Sequence, residues 1–229
     1  MSEVIRIVVR AWNIAMWDLA CEIRRPASVT SVLLFGIGAL VALRIAVAGG
    51  ARIDAAVAAG GLWVVLLLGA MLGSSRAMAI EREEGTFDQL LLAPVDRSSI
   101  FLGKTLAATC QGLLIVLVVV PLGWIMLASP PSAAAALSVV GIAAAATLGF
   151  AAVGVFGGLV SMHARGRELL HAAIFVPLTI PAVIIAVTAT LGALGLQSVH
   201  MQELIGYLLC YDGIFLAVGF AATPLLVVE

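Results

Sequence analysis

The chain has 229 residues, of which 63% are hydrophobic and 11% charged, with a formal net charge of -1 and a mean hydropathy of +1.19. That composition cannot furnish a soluble globule with its polar coat, so the chain reads as an all-α, polytopic membrane protein. The near-zero charge offers no basic face for nucleic acid, and none is expected as a partner. Cys21, Cys110 and Cys210 are far apart and never in a C-x-x-C pair, which suggests neither a disulfide framework nor a metal knuckle.

Ahead of the first apolar stretch, Val4, Ile5, Val8, Trp12, Met16, Leu19 and Ile23 recur at three- to four-residue steps, with Arg6, Arg10, Asn13, Asp18 and Glu22 between them. This pattern predicts an amphipathic helix over residues 1–25, lying in the membrane interface with Trp12 and Trp17 at headgroup level. The acidic residues here and the lack of a small-residue cleavage site argue against a removable signal peptide.

A bilayer core about 30 Å thick needs about 20 apolar residues. Six stretches qualify within residues 26–229: Ala27–Val47, Ala56–Ala79, Thr105–Ala128, Ala133–Val160, Ala172–Leu196 and Leu204–Val228. Ten of the twelve basic residues fall in three clusters: Arg6, Arg10, Arg24 and Arg25; Arg76, Arg82, Arg97 and Lys104; Arg165 and Arg167. Under the positive-inside rule these clusters are cytoplasmic, which puts both termini inside and leaves Arg44 and Arg52 outside. The sixth stretch is the least regular, because Asp212 falls near its middle and must face protein or water.

The connection at 81–104 carries the strongest functional signal. Glu81 and Glu84 precede a break at Gly85; Thr86 and Gln89 have capping-box spacing, and Pro94 closes the short helix they predict. Phe87, Leu90 and Leu91 are available to fill a pocket on a partner, and Asp88 belongs to the same segment. A featureless linker would need none of this.

Pro177 and Pro181, four residues apart in the fifth stretch, share a helix face, and each removes a backbone hydrogen bond. They predict a bent or interrupted span in its cytoplasmic half, with Thr179 satisfying a freed carbonyl. Such a face should look inward or toward a partner rather than at lipid. Gly69 with Gly73, and Gly154 with Gly158, supply two G-x-x-x-G spacings, read as helix packing.

Taken with Leu62-Trp63-Val64, the run Glu84-Gly85-Thr86-Phe87-Asp88-Gln89-Leu90-Leu91-Leu92-Ala93-Pro94 and the segment Val176-Pro177-Leu178-Thr179-Ile180-Pro181 resemble the CcmB family, haem exporter protein B. This is a branch of the type-2 ABC exporter permeases. The resemblance implies a bacterial inner-membrane subunit that pairs with a separate cytosolic ABC ATPase and with haem-handling membrane proteins of cytochrome c maturation. ATP would be used by the partner subunit, haem would be cargo of the complex, and a homodimer of this chain is in keeping with two ATPase halves. Residues 81–94 would be the ATPase-coupling segment, and Pro177, Thr179 and Pro181 a partner or path face.

The chain itself has no ATPase motif, since Gly103-Lys104-Thr105 lacks the first glycine of a phosphate loop, Ser98 standing in its place. His163 and His171 flank the Arg165/Arg167 loop and His200 lies opposite; all three read as interfacial polar residues rather than haem ligands. Two other readings remain: the same architecture as a type-2 exporter for a drug, lipid or glycan, and a non-transporting membrane scaffold or self-contained secondary transporter, for which internal repeats or buried charges along a path would be expected.

Overall fold

The computed structural model describes residues 3–24, 27–48, 53–83, 96–127, 131–162 and 164–226. Seven helices are present among the described residues: α1 (Glu3–Arg24), α2 (Ala27–Ala48), α3 (Ala55–Glu83), α4 (Arg97–Leu127), α5 (Ala133–Ser161), α6 (Arg167–Ala193) and α7 (Met201–Leu226). From α2 onward all six are long and apolar enough to cross a membrane. The predicted all-α, six-span fold is therefore what the chain adopts.

Local chemistry sets the ends. Asp54 Oδ1 accepts the Ala56 N–H at 2.8 Å and opens α3, while the Ser132 hydroxyl accepts the Ala135 N–H at 3.3 Å and opens α5; both satisfy first-turn donors that a helix leaves unpaired. Gly195, at φ 71°, closes α6 in the left-handed region, and the Leu196 N–H turns back to the Leu191 carbonyl.

Helix α5 is the centre of the bundle, packed against α3, α4, α6 and α7, with α2 laid over α3 and α4. Its small residues make this close approach feasible. Gly154 and Gly158 lie against Ser74 and Met78 of α3, and Gly69 and Gly73 against Val32 of α2. Both G-x-x-x-G spacings thus pack within the chain. The main core joins Leu40, Leu62, Trp63, Val120, Phe150 and Phe175 from five helices.

Three expectations are revised. Helix α4 begins at Arg97, well before its apolar stretch, so residues 97–104 are two turns of helix rather than loop. Helix α6 runs unbroken through Pro177 and Pro181. Both prolines are exposed on this chain, facing away from its core rather than inward.

Candidate functional site: a polar girdle at one end of the bundle

Of the coupling residues expected from sequence, Glu84, Gly85, Thr86, Phe87, Asp88, Gln89, Leu90, Leu91 and Pro94 lie outside the described residues, and Glu81 is described only as part of α3. What the structure does place is everything to which that segment is attached. Its upstream end is α3, and its downstream end is Asp96 and the first turns of α4.

Those turns are unusually polar and unusually buried. Ser98, Ser99, Lys104 and Thr105 are all buried because α1 lies along them. Asp18 of α1 and Lys104 of α4 form an ion pair at 3.4 Å, and Arg10 reaches Asp96 at 3.2 Å. Between the two pairs, Gly103 meets α1 so closely that a Cβ there would stand 2.7 Å from the Ala11 carbonyl oxygen and 2.7 Å from Ile14 Cβ. Helix α1 therefore docks by the side that carries Ala11, Ile14, Ala15 and Asp18. Ile5, Val8, Trp12, Met16, Trp17 and Ile23 are left exposed on the other. Leu19, expected in the outward stripe, is half-buried.

The same end carries further polar ties. Glu22 Oε1 accepts the Val29 N–H at 3.0 Å, so α1 caps α2. Arg76 of α3 donates to Ser31 of α2 at 2.8 Å, and the Ser98 hydroxyl donates to the Phe220 carbonyl of α7 at 3.0 Å. Next to that bond Gly219 faces the Phe101 ring with no room for a Cβ. Five helices are thus laced together around the exit of residues 84–95.

His171, expected at the membrane surface, is instead buried at 3% exposure on α6. Its Nε2 lies 3.0 Å from Ser74 Oγ of α3, and its ring stacks on Phe175 with centroids 5.8 Å apart. His200 is exposed ahead of α7, and His163 lies outside the described residues. No group of three or more metal-ligating side chains occurs among the described residues.

Around the prolines, the Thr179 hydroxyl lies 2.8 Å from the Phe175 carbonyl and 3.1 Å from that of Val176. It does not serve the Ala173 and Pro177 carbonyls, the two whose donors the prolines remove. Tyr211 of α7 donates to the Leu178 carbonyl, between the prolines, at 2.8 Å. Asp212, 2% exposed, points into protein against Gly149, and neither carboxyl oxygen has a partner among the described residues. Beside α3, a cleft of about 70 Å³ is lined by Ser74, Gln111, Thr147, Gly69, Gly73 and Phe150 among others.

The family model described as CcmB protein matches residues 9–226, nearly the whole chain and both described regions that carry the sequence resemblance. The chain belongs to the CcmB family. No curated protein gives a match. CcmB membership makes it a membrane permease component of the haem exporter that serves cytochrome c maturation, a non-catalytic subunit of an ABC transporter complex with other Ccm components. Six spans and this membership fit a multi-pass protein of the inner membrane.

The extended helix α4 and the buried His171 were missed from sequence for one reason. Both put polar side chains where hydropathy reads membrane edge, and only the partner helices α1 and α3 explain their burial.

Proposed function

We propose that this chain is the membrane half of an ATP-driven complex whose fuel is handled by a separate cytosolic ATPase, and that Glu81–Pro94 is the segment the ATPase grips. Both termini are cytoplasmic in this reading, and α1 lies in the cytoplasmic interface. The complex acts on haem-handling membrane partners, either with haem as cargo or by driving rearrangement of a neighbouring protein. Pro177, Thr179 and Pro181 mark the face that a partner or second copy covers.

The observation that supports this most is the lacing of α4 to α1 at Asp96 and Lys104, directly downstream of the segment. A loop that only turned the chain around would gain nothing from a buried ion pair beside it, since burying two charges costs several kcal/mol per ion before their attraction repays it. A rigid anchor on one side of a gripped segment converts a push into displacement of a helix. For the face of α6, the support is that two freed carbonyls belong to a helix side this chain leaves uncovered.

The test is co-purification from membranes. Phe87→Glu with Leu90→Glu is expected to release the ATPase while the chain stays inserted. Retention of the ATPase by that double variant would show that the grip lies elsewhere.

A further inference from the structure

Two hydrogen bonds between side chains join α3 to α6, and they straddle the proline pair. Towards one end, Trp63 Nε1–H donates to Thr190 Oγ1 at 2.9 Å. Towards the other, Ser74 Oγ meets His171 Nε2 at 3.0 Å. Trp63, Thr190 and His171 are buried and Ser74 is half-buried in the lining of the cleft beside α3, so the Trp63–Thr190 bond is shielded from competing water and the Ser74–His171 bond partly so.

The two helices cover unequal lengths between these ties. Residue 63 to residue 74 is 11 steps on α3, whereas residue 171 to residue 190 is 19 steps on α6. At 1.5 Å per residue these are about 16 Å and about 28 Å. The reach of the Trp63 and His171 side chains takes up part of that difference, and a bend in α6 is the way to take up more. Curvature in a helix costs least where the ladder is already broken, and Pro177 and Pro181 break it between the ties. The stretch is further held by Tyr211, whose hydroxyl grips the Leu178 carbonyl from α7.

Helix α3 is also the helix that runs into the gripped segment. Of the two ties, Ser74 with His171 lies nearer that end of α3, while Trp63 and Thr190 hold the far end. We infer that His171 and Trp63 are positioning residues that make α6 follow α3, flexing it at Pro177 and Pro181 so that the exposed face of Pro177, Ile180, Pro181 and Ile184 changes shape with the ATPase cycle. This rests on the reading of Glu81–Pro94 as the gripped segment.

The test uses the full complex in nanodiscs, with Cys21, Cys110 and Cys210 replaced by Ser and spin labels on cysteines at Val64 and Ile180, both exposed. The label-to-label distance is expected to shift between the nucleotide-free state and ATP with vanadate. The shift should disappear in His171→Ala, return in His171→Gln, which can still bond Ser74, and shrink in Trp63→Phe. Formation of c-type cytochrome should fall in His171→Ala while ATP hydrolysis continues. A native complex that binds and hydrolyses ATP without a distance shift overturns the inference, and so does an unchanged shift in both His171→Ala and Trp63→Phe. Failure of the underlying reading shows separately, as retention of the ATPase by the Phe87→Glu, Leu90→Glu variant.

Discussion

Lys104 and Asp18 are joined across 86 residues of chain, and the lysine is the deeper of the two, its side chain 6% exposed against 19% for the aspartate. The positive end therefore sits in the bundle and the negative end nearer its surface. Lys104 has a further interaction besides the bond to Asp18. A lone Lys104→Met strands a mostly buried carboxylate. It is expected to lower stability by about 2 kcal/mol, read as a lower unfolding midpoint in detergent. Adding Asp18→Leu should recover most of the loss, and failure of the pair to recover would mean that Lys104 acts mainly through its other contacts.

Gly103 offers a sharper probe of the same interface. Gly103→Leu cannot coexist with α1 in place, because even a Cβ stands 2.7 Å from a backbone oxygen. A cysteine at Ala15, buried in the native protein, should become reactive toward a thiol reagent in that background. Gly141, with nothing within 4 Å of a Cβ, is the control: Gly141→Ala should be neutral or stabilising by up to about 1 kcal/mol.

How far the sequence carried the fold follows from these same positions. The six spans were legible because hydropathy needs no knowledge of neighbours, and α1 was legible from its outward stripe of Ile5, Val8, Trp12 and Met16. Its docking side was not, since Ala11 and Ile14 signal nothing alone and acquire meaning only opposite Gly103. Ser98, Ser99 and Lys104 read as loop because polarity was taken for exposure, whereas α1 and α7 bury them. His171 was misplaced in the same way, its partner Ser74 lying 97 residues away. Pro177 and Pro181 are visible in the sequence as missing backbone donors, but a missing donor fixes only that a helix is weakened; which way its face points depends on packing.

Asp212 supplies a third prediction. Leu has the same branching as Asp, and at this position it removes two oxygens that have no partner among the described residues. Asp212→Leu is expected to raise stability by about 1–3 kcal/mol, the desolvation cost of a buried polar group left unbonded. A lower unfolding midpoint would instead reveal a partner that stabilises the carboxyl.

Trp63 should separate bond from bulk. Trp63→Phe loses the hydrogen bond to Thr190, but the threonine hydroxyl still has the Ala186 carbonyl at 2.8 Å, so the cost is about 1 kcal/mol. Trp63→Ala empties the core and should cost about 3–5 kcal/mol. Equal effects of the two on the thermal midpoint would show that the indole nitrogen, not the ring volume, matters for stability.

Orientation is open to direct labelling. Cys21, exposed on α1, is expected to resist a membrane-impermeant maleimide in intact cells and to react once they are opened. A cysteine at exposed Gln197, between α6 and α7, should react from outside. The opposite pattern would invert the topology.

The long reach of the Asp18–Lys104 pair has a consequence for synthesis. Helix α1 leaves the ribosome before α4, and its berth there does not exist until 86 more residues have been made, roughly 4–17 seconds at ordinary elongation rates. During that wait its Ala11 and Ala15 side has nothing to meet. In the interfacial placement proposed for α1, the face bearing Trp12 and Trp17 would meanwhile rest among lipid headgroups, so the surface that stays outermost in the finished protein would also moor the nascent chain in reach of its own later half.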